Sequence, residues 1–302
     1  MITETLYNAL ASVVGSENIR KNEPLSHHTY TKLGGRSDLA IFPRTIQDVK
    51  QAVDLVRQAD TPLTVLGNGS NVIVTDAGIR GVTLILTGLD GIYRDGEIVV
   101  ADCGAAIIGV SNFAYEQSLS GLEFACGIPG SVGGAVYMNA GAYGGEVADV
   151  LVSALVLTRD GRILERQNSE LDLSYRHSNV ADNGDIVLQA TFALHPGDPL
   201  AIRTKMDELT FLRTSKQPLE YPSCGSVFKR PPGYFAGKLI QDAGLQGLRI
   251  GGAEVSKKHA GFIVNVNDAS ASEYIQVIEA VQAAVKEKFG VTLEREVRII
   301  GD

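Results

Sequence analysis

Seven glycines fall within the nineteen residues from Gly127 to Gly145, and that density constrains the fold more than any other feature of the chain. Glycine has no Cβ and loses the most backbone freedom on ordering, so it weakens any helix or strand that contains it. The runs Gly127-Ile-Pro129-Gly130-Ser131-Val-Gly133-Gly134 and Asn139-Ala-Gly141-Ala142-Tyr143-Gly144-Gly145 are therefore expected to form neither. A backbone wall pressed against a flat or phosphorylated ligand accounts for them better than two adjacent loops do. A third cluster, Gly67-Asn68-Gly69-Ser70-Asn71, lies between two strand-like stretches, 63–66 and 72–75. A doubly wound dinucleotide fingerprint needs a third glycine where Val72 stands and a helix directly after it. The cluster reads instead as a strand–turn–strand whose bared amides can hold a pyrophosphate, although taken alone a Gly-rich hairpin explains it better.

The 302 residues suffice for about two domains. With 44% apolar and 21% charged residues, the composition is that of an ordinary globular protein. A formal charge of −8 argues against nonspecific binding to nucleic acid or anionic membrane. Between Arg203 and Lys258, however, ten basic residues stand against five acidic ones. That reversal suits a small anionic ligand as well as it suits a scattered solvated surface. Cys103, Cys126 and Cys224 form neither a C-x-x-C pair nor a zinc spacing, and His27, His28, His177, His195 and His259 have no metal-ligand spacing, so no metal is expected. Met1-Ile-Thr-Glu-Thr does not open a signal peptide, and no apolar run nears the roughly 20 residues of a membrane span. The expectation is a reduced, cytoplasmic protein.

Apolar spacing after Thr45 predicts a helix with a Thr45/Asp48 capping box, and further helices are expected at 107–118, 200–214, 238–243 and after Ser270. Ile275, Ile278, Val281, Val285 and Phe289 make the stripe of the last. Strands are expected at 82–86, 97–101, 152–158, 186–194 and 291–300, which makes the fold class α+β with a boundary near residue 200.

Six motifs then occur in order: Gly67–Asn71, Gly127–Gly134, Asn139-Ala-Gly-Ala-Tyr143-Gly144, Tyr175-Arg176-His-Ser178, Gly225-Ser226-Val-Phe228-Lys229 and Glu294-Arg-Glu296-Val-Arg298. Together they resemble the MurB family, the UDP-N-acetylenolpyruvoylglucosamine reductases, from about His28 to the C-terminus. The resemblance implies a two-lobed FAD-binding domain of p-cresol methylhydroxylase type at 31–197, after a helical lead-in at 1–30. A C-terminal α+β substrate domain follows at 198–302, its last strand (291–302) packing back on the first lobe. It also implies hydride transfer from NADPH to FAD and on to UDP-N-acetylglucosamine enolpyruvate. The product is UDP-N-acetylmuramate, a peptidoglycan precursor. Gly67–Asn71, Gly127, Pro129, Gly130, Ser131, Gly133, Gly134, Asn139, Gly141, Ala142 and Tyr143 fall to the cofactor. Ser226 matches the proton donor, and Arg176 and Glu296 match the other two catalytic positions. Tyr175, Arg213, Lys216, Lys229, Lys238 and Lys258 are candidates for the UDP-sugar, with Asn265 as a polar option. No loop with a covering tyrosine lies between Leu194 and Arg213, so the chain resembles the short, second type.

Each catalytic position has a plainer reading: Arg176 as a hairpin residue, Ser226 as a turn serine, Glu296 as one charge on a solvated face. The competing functions are an alcohol or sugar oxidase of the same fold and a noncatalytic module that binds flavin or UDP-sugar.

Overall fold

The computed structural model describes residues 2–302. Its helices are α1 (Glu4–Val14), α2 (Ile46–Gln58), α3 (Ile107–Glu116), α4 (Val132–Tyr137), α5 (Asn179–Asn183), α6 (Pro199–Lys216), α7 (Ala236–Asp242) and α8 (Ala271–Phe289). None of them is long and apolar enough to cross a membrane. The chain divides into two compact units. One holds residues 1–21, 39–68 and 81–212; the other holds 22–38, 69–80 and 213–302.

In the first unit an antiparallel sheet orders its strands Ile163–Gln167, Leu151–Leu157, Ile186–Ala193, Ile98–Asp102 and Ile92–Asp95. Alternating residues such as Val99, Ala101, Ala154, Val156, Leu188 and Ala190 face a core shared with α2 and α3. Thr45 caps α2 through the expected box with Asp48.

Expectation and structure part at α4. Val132–Tyr137 is helical although it contains Gly133 and Gly134. The Ser131 side chain caps it, accepting from Gly134 N–H, and the Gly133 amide donates to the Cys103 carbonyl at 2.8 Å. A Cβ at Gly133 would stand 3.0 Å from that of Cys103. Here glycine serves close approach, which outweighs its low propensity in so short a helix.

In the second unit an antiparallel sheet runs Ser223–Ser226, Phe262–Asn265, Ala253–Val255, Arg249–Ile250. Helix α8 covers it with Ala271, Tyr274, Val277, Ile278, Val281 and Val285 buried. Ile275 and Phe289, expected on the stripe, are only half-buried: Tyr274 takes the inward position beside Ile275, and Phe289 is the last residue of the helix. The long terminal strand is also shorter than expected: only Arg298–Ile300 forms a ladder, parallel to Val72–Val74. Upstream, the Glu294 carbonyl and the Glu296 amide are taken by Lys229 N–H and the Val227 carbonyl, leaving a single bridge between Phe228 and Arg295. Leu293 and Val297 are nonetheless buried, so the alternation of this segment reports core contact rather than strand pairing.

Asp76 accepts from the Ala271 and Ser272 amides at 2.8 and 2.9 Å and from the Ser272 hydroxyl, while Glu273 closes a capping box with Ser270. Partial burial pushes the Asp76 pKa up, but these donors outweigh it and hold the carboxyl below its usual range. The Ser270 and Gly252 amides lower Glu273 likewise. A depressed folded-state pKa contributes stability above the unfolded value that is lost as pH falls through the folded one. Asp76→Asn is therefore expected to lower Tm at neutral pH, with the gap to the parent chain closing from about pH 5 downward. Thermal melts across that range check it, and a gap that stays constant with pH contradicts the assignment.

Candidate functional site

Strand Leu63–Leu66 delivers its chain to Gly67, where a Cβ would overlap Ser131 Oγ. Gly67 therefore lies directly against the N-terminus of α4, which belongs to the second glycine run. Gly130 is fixed there by donation from Ile107 N–H to its carbonyl at 2.9 Å. Gly127 and Pro129 precede it, half-buried. Asn139 is buried, whereas Gly141 and Ala142 form a small hairpin with Gly145 and Glu146 around Tyr143 and Gly144. Tyr143 has φ +53 and is 44% exposed.

In the second unit Gly69, at φ +63, allows the close approach of His28: a Cβ would overlap the His28 carbonyl, and Tyr30 N–H donates to the Gly69 carbonyl at 3.0 Å. No carbonyl among the described residues takes the N–H of Gly69 or Ser70. Amides without an acceptor, beside glycines that admit no Cβ, are what a dinucleotide pyrophosphate requires. The residues present fit FAD.

Arg176 occupies a two-residue turn whose stem is the pair Ser174/His177, joined by two 3.1 Å backbone bonds. Its φ is +57, a region in which an L side chain costs roughly 1–2 kcal/mol. Its Nη2 donates to the Gly141 carbonyl at 3.2 Å and its guanidinium lies 5.1 Å from the Tyr175 ring, with Tyr175 itself 52% exposed. Strain held at a charged residue points to use.

Ser226 sits at a β-bulge: Ser223 pairs with Val264 and Ser226 with Phe262, one residue extra on the first strand. Gly225 absorbs the excess at φ +77, and Ser226 is exposed. Next to it the Val227 carbonyl accepts from Glu296 N–H at 2.8 Å, which sets Glu296 beside the serine strand. Asn71 Nδ2 donates to the Glu296 carbonyl at 3.3 Å, and the Asn71 carbonyl accepts from Arg298 N–H at 3.1 Å. Burial, and to a lesser degree the Glu296 charge, pushes the neighbouring Cys224 thiol up to about 11, so it stays neutral. The second unit thus brings Ser226, Glu296 and Asn71 together. Nothing in the sequence marked the Gly225 bulge or the Asn71 link.

The cationic candidates separate into groups. Lys258 Nζ donates to the Thr214 carbonyl at 2.8 Å, which gathers it with Arg213 and Lys216 in the last turn of α6. Lys229 pairs with Glu294 at 3.7 Å and Lys238 with Asp242 in an exposed i,i+4 contact. Arg203, Lys205, Lys238 and Lys257 pair with acids of the same segment, and Lys229 with Glu294 outside it, so these pairs leave most of the excess in place. Asn265 is spent structurally: it donates to the Thr31 carbonyl at 3.1 Å and accepts from Ala269 N–H at 2.9 Å.

The paired glycine turns and the bulged serine strand define the class of FAD-binding oxidoreductases with a separate substrate domain. A model of the FAD binding domain matches residues 37–166, and one of the UDP-N-acetylenolpyruvoylglucosamine reductase C-terminal domain matches 217–300. The UDP-N-acetylenolpyruvoylglucosamine reductase of Oceanobacillus iheyensis is 59% identical over 301 residues, covering 100% of this chain and 98% of that protein. That of Pediococcus pentosaceus is 58% identical over 294 residues, covering 97% and 98%. Among solved structures, MurB of Thermus caldophilus matches with TM-score 0.79 at 33% identity over 93% of this chain and 97% of that one. A glucose dehydrogenase, Phl p 4.0202, matches at TM-score 0.52 and 16% identity over 65% and 45%, which shows the FAD-binding fold alone. The chain belongs to the UDP-N-acetylenolpyruvoylglucosamine reductase family.

Proposed function

We propose that this chain reduces UDP-N-acetylglucosamine enolpyruvate to UDP-N-acetylmuramate, with NADPH as reductant, FAD as cofactor and Arg176, Ser226 and Glu296 as the catalytic residues. The observation that carries the reading is Ser226 turned outward by the Gly225 bulge and flanked by Glu296. An oxidase, which only removes hydride, has no evident need for such a proton donor.

FAD would be held by the Gly67–Asn71 and Gly127–Tyr143 backbone and, once reduced by NADPH, would supply the hydride added at C3 of the enolpyruvyl ether. Negative charge then develops at C2 and spreads onto the adjacent carboxylate. Arg176 suits that charge because a guanidinium is permanently cationic and can fork onto a carboxylate. Ser226 Oγ delivers the proton to C2. A serine hydroxyl is a weak acid, so it acts only when held close to developing charge in a site that excludes water, with Glu296 orienting it. The cations at the end of α6 (Arg213, Lys216, Lys258) are assigned to the diphosphate, with Lys229, Lys238 and Tyr175 as further contacts.

The test is anaerobic. Holoenzyme reduced with NADPH and mixed with UDP-N-acetylglucosamine enolpyruvate regains the oxidised flavin spectrum, and UDP-N-acetylglucosamine without the enolpyruvyl group leaves it reduced. A spectrum that stays reduced with the first compound and reoxidises only in air overturns the proposal in favour of an oxidase.

A further inference from the structure

We infer that Asn139 is a positioning residue for Arg176 rather than a contact of the cofactor, an inference that rests on the catalytic role proposed for Arg176. Its place in the second glycine run suggested the cofactor, but its side chain is 0% exposed and both ends of its amide are occupied. Oδ1 accepts from Ala148 N–H at 2.9 Å, and Nδ2 donates to the Ser174 carbonyl at 3.1 Å. Turning the amide over would set its oxygen against the Ser174 carbonyl, so one orientation is enforced.

Ser174 is the base of the Arg176 turn, and its carbonyl also receives His177 N–H. On the other side of the stem the Ser178 hydroxyl donates to the Tyr137 carbonyl at 2.7 Å, and the Arg176 guanidinium reaches the Gly141 carbonyl. Three attachments thus pin the turn to the stretch 137–141, with Asn139 at their centre. Asn139 itself has φ +41, which asparagine tolerates better than other residues with a side chain. A turn that holds an arginine at positive φ persists only when its surroundings over-determine it. Asn139 supplies that constraint from the segment that follows α4.

A double-mutant cycle separates the possibilities. Asn139→Ala in the parent enzyme is expected to slow flavin reoxidation by the enolpyruvyl substrate about tenfold, while in an Arg176→Ala background it changes that rate by less than about twofold. Asn139→Ser carries the same cycle if the alanine variant does not accumulate as folded protein. Equal losses in both backgrounds overturn the inference, because a structural defect acts whether or not the arginine is present. Loss of bound FAD from the Asn139 variants also overturns it, placing the side chain against the cofactor. An Arg176→Ala enzyme that reoxidises at the parent rate refutes the catalytic reading of Arg176 instead, and is told apart by the single variant alone.

Discussion

Ser226→Ala is expected to slow reoxidation of reduced flavin by the enolpyruvyl substrate about 10²- to 10⁴-fold, the range typical of a lost general acid, and to leave flavin reduction by NADPH within about a factor of two. Only the second half-reaction consumes the proton. The serine is exposed and its side chain makes no hydrogen bond among the described residues, so its removal costs the fold little. The bulge is held by Gly225 and by the Val227 amide, which donates to the Gly261 carbonyl, and both remain in the variant. Stopped-flow measurement of each half-reaction separates the outcomes. A comparable loss in both assigns Ser226 to cofactor placement, and no loss in either leaves Glu296 or solvent as the acid.

Much of the glycine-rich backbone was legible because its signal is local. Gly67 and Gly133 are glycines where another chain segment lies against the backbone, and a missing Cβ can be read from one residue at a time. The α2 and α8 caps were readable for the same reason, since Thr45/Asp48 and Ser270/Glu273 are three-residue spacings. Less legible was whatever depends on residues far apart in the chain. Asp76 caps α8 from 195 residues away, and no pattern around either segment announces it. Gly133 and Gly134 looked incompatible with a helix because the compensating Cys103 carbonyl lies thirty residues upstream. Asn139 was assigned to the cofactor because it stands among glycines, and the partners of its amide, Ala148 and Ser174, are ordinary residues that no motif announces. Order along the chain proposed Ser226, Arg176 and Glu296 as catalytic through family resemblance alone. Their local geometry, a bulge for Ser226 and a left-handed turn for Arg176, had no sequence signature of its own.

The Arg176 turn yields a prediction in which stability and activity move apart. Glycine adopts φ +57 at no steric cost, so Arg176→Gly relieves roughly 1–2 kcal/mol of backbone strain while giving up the bond to the Gly141 carbonyl and the contact with Tyr175. Alanine loses the same side-chain contacts and keeps the strain. The glycine variant is therefore expected to melt above the alanine variant by about 2–4 °C, the shift that roughly 1 kcal/mol produces in a domain of this size. Both variants are expected to lose about 10²- to 10³-fold in reoxidation by the enolpyruvyl substrate, the usual loss when one preorganised group is removed from developing negative charge. Arg176→Lys keeps the charge without the planar fork and is expected to fall between parent and alanine. Thermal melts together with anaerobic reoxidation rates decide it. A glycine variant less stable than alanine shows that the turn carries no strain, and one that reoxidises like the parent shows that the strained arginine serves some purpose other than the reaction.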